Sequence, residues 1–406
     1  MKRLFTLIIC LLSIQIVKSA AYFVSPQVPL TLQPGQRDTI ILPVINQPAP
    51  LSSESNIFKR RLDSIKKDVP LDYNEYVQSY IDIYIHNSAE MGHVLGLAKY
   101  YFPIYEKAFR DAGIPDEIKY LSIVESKLDP FAVSRVGATG PWQFMFITAK
   151  LYGLNMDDYV DERRDPIQAS YAAAAYLKNA YQEFGDWLLA IASYNCGESN
   201  VQHAIEKAGA SDFWSIRPYL PVETRGYVPA FIAVTYVMNY YSKHNIIPQP
   251  CDFSLKTDTV VVNKYVSLTS IAQVLDVNLN ELAILNPAYT RQIINGTASA
   301  PRRLVIPQIA KEKYGALYDA LNHSDVVAAT PQAAYAAYHE SKAEITPSYH
   351  KVLRGHSYIT YKVKRGDTLS GIAAKFDGAS VEKIRSLNGL KTGQLQPGMT
   401  IMISKG

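Results

Sequence analysis

Glu125 and the glycine-containing loop that follows it are the parts of this sequence whose residue types and spacing fit acid–base chemistry. Glu125 lies in the run Asp116-Glu117-Ile118-Lys119-Tyr120-Leu121-Ser122-Ile123-Val124-Glu125-Ser126. At about 100° per residue, Ile118, Leu121, Ser122, Glu125 and Leu128 share one helical stripe, so the carboxyl is expected to point inward. Withdrawal from water disfavours the charged form, raises the pKa and leaves a carboxyl protonated near neutrality, ready to act as a general acid. A partly buried structural glutamate, bonded to an amide or an arginine, has the same local pattern, and helix position alone does not separate the two.

The loop Gly137-Ala138-Thr139-Gly140-Pro141-Trp142-Gln143-Phe144-Met145 adds two glycines that let backbone approach a ligand, and a glutamine that can both donate and accept. Two further segments, Ser193-Tyr194-Asn195-Cys196-Gly197 and Glu223-Thr224-Arg225-Gly226-Tyr227-Val228, complete an ordered set of motifs. Glycosidases ordinarily use two carboxylates, and this set supplies one. Asp129 lies one turn after Glu125 but precedes Pro130, which reads as a helix terminator or cap. Asp161, Asp165 and Glu198 rank lower as partners.

The elements that must position these residues follow from apolar periodicity and from proline and glycine punctuation. Residues 22–70 form a lead-in that is extended or disordered, broken by Pro26, Pro29, Pro34, Pro43, Pro48 and Pro50. An all-helical domain is expected over 71–252, with helices at Tyr73 to His86, Glu90 to Ala112, Asp116 to Leu128, Pro141 to Tyr152, Pro166 to Phe184, Trp187 to Asn195, Val201 to Ala208 and Pro221 to Lys243. A strand–helix–helix–strand unit follows over 255–308. Its order recurs over 358–406, where Leu369, Ile372, Ala373, Leu387 and Asn388 match Leu268, Ile271, Ala272, Leu285 and Asn286. Residues 309–357 read as a linker.

Met1-Lys2-Arg3, the apolar run to Leu12 and the small residues at Ser19, Ala20 and Ala21 have the layout of a secretory signal peptide over 1–21. Cys10 invites a lipid-anchor reading, against which Ile9 and the short run before it speak. The remaining Cys196 and Cys251 are expected to be separate thiols. The histidines have no paired ligand spacing, so no metal is expected, and no other cofactor. A net charge of +4, from 41 Lys and Arg against 37 Asp and Glu, is spread too evenly to suggest a nucleic-acid partner.

The order Glu-Ser, Gly-x-x-Gly-x-x-Gln, Tyr-Asn-x-Gly and Glu-Thr-Arg-x-Tyr-Val resembles the goose-lysozyme-like catalytic domain of lytic transglycosylases, specifically their membrane-bound type D. The resemblance covers about residues 70 to 308. Trp142, Asp212-Phe213-Trp214 and Leu220-Pro221-Val222-Glu223-Thr224 carry the type D likeness. Gly366-Asp367-Thr368-Leu369 and Leu387-Asn388-Gly389-Leu390 are similar to LysM peptidoglycan-binding modules, while the first copy lacks the Gly-Asp-Thr turn. Phe146 departs from the family, in which proline commonly stands after Gln-x-Met.

The resemblance implies a mainly α fold, a lysozyme-like helical domain followed by two small βααβ LysM-like modules. It implies that Glu125 is the sole acid and base, with Ser126, Gln143, Asn195 and Tyr227 around the substrate, and that Asp367, Thr368, Leu369, Asn388, Gly389 and Leu390 bind glycan. The implied reaction cleaves peptidoglycan strands between N-acetylmuramic acid and N-acetylglucosamine without water, leaving 1,6-anhydro ends. The implied location is the periplasm or cell envelope, with peripheral association with a membrane. A lysozyme-like hydrolase and a non-catalytic wall-binding protein are the alternatives.

Overall fold

The computed structural model describes residues 43–45, 48, 51, 55–322, 358–364, 367–373, 375–376, 381–388 and 400–404. The expected signal peptide with Cys10, the first part of the lead-in, residues 323–357 of the expected linker, and Gly389 and Leu390 lie outside the described residues. The chain divides into two units, one up to Glu340 and one from Ser341.

Among the described residues the first unit opens with a helical body of ten α-helices: α1 Ser55–Ile65, α2 Glu75–His86, α3 Ser88–Ala112, α4 Leu121–Ser126, α5 Phe146–Leu151, α6 Pro166–Phe184, α7 Trp187–Cys196, α8 Glu198–Ala208, α9 Phe213–Ile216 and α10 Thr224–Tyr240. Local chemistry sets several starts. Asn74 accepts from the backbone of Tyr76 and Val77 before α2, and Asp165 accepts from Ile167 and Gln168 before α6, where Pro166 takes the first helical position. The alanine run of α6 buries Ala169, Ala172, Ala173 and Ala180, and α6 packs along α3.

Helix α10 is buried on every side from Gly226 to Met238, as expected of a central helix without a polar face. A Cβ on Gly226 would stand 2.1 Å from the Tyr80 hydroxyl, so glycine is what lets α10 lie against α2. Pro229 has no N–H to give to the Arg225 carbonyl. Arg217 Nε donates to that carbonyl instead, at 2.9 Å, and its guanidinium lies 3.5 Å from the ring centroid of Tyr76. Leaving such an acceptor unmet would cost about 1–3 kcal/mol where it is buried.

Three expectations are corrected here. The lead-in assigned to 22–70 contains α1, which buries Phe58 and Leu62 in the core and ties Arg61 Nη1 to Tyr236 Oη at 2.7 Å. The helix expected over Asp116 to Leu128 begins as a 3-10 turn, Asp116–Tyr120, before α4. The helix expected from Pro141 starts only at Phe146, because Gly140 and Gln143 take left-handed backbone, φ +87 and +49, which no α-helix accommodates.

The first unit continues as a small module. Strand β1 (Thr257–Val262) pairs antiparallel with β4 (Arg302–Pro307), Thr257 opposite Pro307, and β2 (Tyr265–Ser267) pairs with β3 (Ile293–Asn295). Between them α11 (Leu268–Leu275) and α12 (Leu279–Leu285) bury Leu268, Ile271, Leu275, Leu282 and Leu285. Residues 313–322, placed in the linker by sequence, form α13 (Lys313–Asn322), which packs on α11 and buries Leu317, Ala320 and Leu321.

The second unit has β5 (Tyr358–Lys362) antiparallel to β6 (Thr400–Ser404), with α14 (Leu369–Ala373) and α15 (Val381–Asn388) between them. Its core is Val363, Leu369, Ile372, Ile384, Ile401 and Ile403. The two modules share an asparagine: Asn286 Nδ2 donates to the Leu282 carbonyl and Asn388 Nδ2 to the Ile384 carbonyl, both at 2.8 Å. In the first module the same amide also bonds both backbone groups of Val305, stitching α12 to β4.

Candidate active site

Glu125 is carried near the end of α4, where Leu121, Ser122, Ile123 and Val124 are buried before it. The helix stops because Lys127 and Leu128 take φ +56 and +66. Two successive non-glycine residues in the left-handed region store about 1–3 kcal/mol each. Packing holds them there, since Leu128 is fully buried and Lys127 is ion-paired with Glu90.

The Glu125 side chain is only partly accessible, and the buried Tyr227 hydroxyl of α10 donates to its Oε1. Burial pushes the carboxyl up from the ordinary 4.5 to about 7, against the hydrogen bond from Tyr227, which lowers it. Near neutral pH the group is therefore divided between acid and base forms. Burial and the Glu125 charge hold the Tyr227 phenol well above its ordinary range, so Tyr227 remains a donor.

The loop beside Glu125 is shaped by backbone bonds. Gly140 N–H donates to the Ala132 carbonyl at 2.9 Å and Gln143 N–H to the Gly140 carbonyl at 3.1 Å. Ser122 and Ser126 both donate to the Pro141 carbonyl, at 2.8 and 2.9 Å, fastening the loop to the helix of Glu125. Ser126 is thus buried and engaged with the loop. Trp142, fully buried, anchors the loop to α6 by donating Nε1 to Ser170 Oγ at 2.9 Å.

Gln143 donates Nε2 to the Ala132 and Gly140 carbonyls at 3.2 and 2.8 Å, while its buried Oε1 has no hydrogen-bond partner among the described residues. That unmet oxygen is closed to solvent, so the Gln143 amide acts here by shaping the loop through its two donated bonds. Asn195, exposed near the end of α7, accepts the Thr224 hydroxyl on Oδ1 at 2.7 Å, which fixes the amide and leaves its N–H groups for a ligand. Tyr194 donates to the Trp142 carbonyl at 2.8 Å and packs against Phe144 and Tyr176.

Asp129, Asp161 and Asp165 have their own partners. Asp129 accepts from the Phe131 backbone at 2.8 Å in the turn after α4. Asp161 pairs with Arg163 at 2.8 Å, and Asp165 caps α6 and pairs with Arg303 at 2.5 Å. Glu198 sits in the first turn of α8, and its charge adds to burial, the larger cause, in raising the pKa of Tyr152 and Tyr176. Sequence reasoning missed Arg163. Its one signal was a spacing of two from Asp161, too common to single it out.

In the second module the candidate residues build the fold. Asp367 accepts from the Lys364 N–H and the Tyr361 hydroxyl, both at 2.8 Å, and from Lys375 Nζ at 2.9 Å, which together hold its pKa down to about 2. Thr368 Oγ1 accepts from Gly371 N at 3.1 Å to cap α14, and Leu369 is in the core. Cys196 and Cys251 are separate thiols, both raised by burial.

Residues 102–216 match the Transglycosylase SLT domain family, 256–323 the LysM-like domain of lytic transglycosylase MltD, and 361–404 the LysM domain. Membrane-bound lytic murein transglycosylase D of Escherichia coli (strain K12) is 28% identical over 349 residues, 85% of this chain and 72% of that protein. Peptidoglycan transglycosylase gp16 of Escherichia phage T7 is 35% identical over 120 residues, 29% of this chain and 9% of that protein. The 70 kDa soluble lytic transglycosylase of Escherichia coli aligns at 25% identity with TM-score 0.30, over 36% of this chain and 25% of that one.

Proposed function

We propose, from the premise that this chain belongs to the membrane-bound lytic murein transglycosylase D family, that Glu125 cleaves peptidoglycan as acid and then base in a single turnover. Protonated Glu125 gives its proton to the bridging oxygen between N-acetylmuramic acid and N-acetylglucosamine. The bond to the anomeric carbon breaks, and the sugar's own 2-acetamido oxygen closes on that carbon. The carboxylate left behind then takes the proton of the C6 hydroxyl, whose oxygen displaces the acetamido oxygen and forms the 1,6-anhydro ring. Glu125 ends protonated as it began, and no water is consumed. An intramolecular nucleophile needs no second carboxylate and avoids the entropy of capturing one from solution.

The observation that supports this most is a partly buried Glu125 carboxyl that takes its hydrogen bond from the buried Tyr227 hydroxyl, where burial pushes its pKa up to about 7 and makes both protonation states accessible at one pH. Asn195 Nδ2 is the donor that would hold the sugars, and the Gln143 amide would shape the loop that faces them. Digestion of purified sacculi, read by mass spectrometry, tests the reading. Products one water lighter than reducing muropeptides are expected, and ordinary reducing ends would mean hydrolysis.

Tyr227→Phe removes the bond that lowers the Glu125 pKa. Cleavage starts from the acid form, so kcat/KM falls as pH rises through about 7 in the unaltered protein. The variant is expected to move that limb upward while losing about tenfold in turnover for want of the oriented hydroxyl. A limb that stays in place would exclude Glu125 as the group titrating.

Among the described residues no helix is long and apolar enough to cross a membrane. The site of action is the cell envelope, where peptidoglycan lies. Secretion through residues 1–21 and peripheral membrane association belong to the proposal. So does wall binding by the second module. Asp367 has its pKa lowered, so its contribution to that module is complete above the ordinary carboxylate pKa and is lost as pH falls toward about 2. Asp367→Ala is expected to weaken sedimentation with sacculi at pH 7 while turnover of short soluble glycans is retained. Equal retention on sacculi would remove Asp367, and the turn it organises, from wall binding.

A further inference from the structure

Arg163 lies in none of the motifs, yet it joins the loop of Gln143 to the rest of the protein. Its Nε and Nη2 donate to the two oxygens of Asp161 at 2.9 and 2.8 Å, and both side chains of the pair are 12% exposed. The remaining Nη1 reaches the Gly137 carbonyl at 3.1 Å and that of Phe144 at 3.4 Å, one at each end of the loop. Gly140 rests on the Arg163 backbone so closely that a Cβ there would lie 1.8 Å from the Arg163 carbonyl oxygen. Planar guanidinium geometry lets one side chain hold a carboxylate and two carbonyls together, which an ammonium cannot.

The segment bearing Arg163 is held from its other side by the first small module. Asp161 N–H donates to the Ala288 carbonyl at 2.9 Å, and Thr290 N–H to the Tyr159 carbonyl at 3.0 Å. Arg303 of β4 pairs with Asp165 at 2.5 Å, and Arg302 stands 3.6 Å from Glu162. The module's residues thus brace the segment on both sides of Arg163, and Arg163 braces the loop.

We infer that Arg163 is a positioning residue for the loop Gly137–Gln143, and that the first LysM-like module holds it in place and so serves catalysis in addition to any hold on the wall. The inference rests on the assignment of Glu125 above. A loop displaced by about 1 Å costs on the order of 100-fold in rate when it orients a substrate. The module would then be part of the catalytic unit, whereas the second module is a separate unit of the chain.

The test uses the full chain and a soluble peptidoglycan fragment, comparing Arg163→Lys, the module variant Arg302→Gln/Arg303→Gln, and all three substitutions together. Each of the first two is expected to lower kcat/KM about tenfold, chiefly through KM, with the limb near pH 7 unmoved. The combined variant is expected to be no worse than the weaker of the two. Multiplying losses, a moved limb, or losses that merely follow the folded fraction would overturn the inference. Should Arg163→Lys not fold, the module variant decides alone: a raised KM supports the inference and an unchanged KM overturns it. Product masses from the unaltered protein check the Glu125 reading independently.

Discussion

Glu125→Gln is expected to lower turnover about 1,000-fold or more, because in the proposed mechanism one side chain performs both proton transfers and each is worth roughly 100- to 10,000-fold. The same substitution should stabilise the protein at alkaline pH. The folded-state pKa, about 7, lies above the ordinary 4.5, so the folded form holds its proton more tightly than the unfolded chain. Stability from this group is therefore complete below pH 4.5, declines as pH rises, and reaches its lower plateau above about 7. At about 1.36 kcal/mol per pKa unit the full shift amounts to about 3 kcal/mol, and the partial opening of the side chain to water reduces this to about 2. Glutamine carries no charge and escapes the decline. Thermal unfolding at pH 5 and pH 8, beside muropeptide release, checks both halves. Sacculus clearing at the unaltered rate would remove Glu125 from the mechanism.

Gly140→Ala is expected to destabilise the protein by about 3 kcal/mol or more and to cut turnover about 100-fold. The backbone there sits at φ +87, which disfavours any side chain by about 1–3 kcal/mol. The new methyl would also meet the carbonyl oxygen and carbon of Arg163 at 1.8 and 2.6 Å, and these are backbone atoms that cannot swing aside. Gly137→Ala supplies the comparison. Its φ is +86, yet nothing lies within 4 Å of the added carbon, so only the dihedral cost of about 1 kcal/mol is expected. Unfolding midpoints and initial rates of the two variants separate strain from collision; equal behaviour would mean that the Arg163 backbone gives way.

The inward placement of Glu125 was legible only in part: Ile118, Leu121, Ser122 and Leu128 are buried as expected, but so are Lys119, Tyr120, Ile123, Val124 and Ser126, because the whole segment is enclosed and not one stripe of it. Pro166 announced α6, since a first-turn signal is local, whereas Asp165, read from sequence only as a lower-ranked carboxylate, is the cap of that helix. The duplicated module was readable from Leu268, Ile271 and Asn286 against Leu369, Ile372 and Asn388, because the same side chains fill the same core in both copies. Residues 137–145 were readable as a loop from their glycines, but where the loop gives way to helix was not, and the helix was placed five residues early, at Pro141 in place of Phe146. Trp142 and Phe144 look like helix-core residues, and the left-handed Gln143 is imposed by Ser122, Ser126 and Arg163, which are distant in sequence. Arg163 escaped notice for the same reason, and α1 because Phe58 and Leu62 find their partners only in the tertiary fold.

Helix α10 gives the carboxyl its hydroxyl partner and also receives α1. Tyr227 joins Glu125 across 102 residues of chain, and Tyr236 joins Arg61 across 175. During synthesis the first 200 or so residues can form helices, but the segment that completes both the core and the site has not yet appeared. Contacts of such sequence separation close late and slow folding. A chain interrupted before Tyr227 would therefore carry the motifs of Glu125, Gln143 and Asn195 but lack the buried helix that supplies the Glu125 carboxyl with its hydroxyl donor.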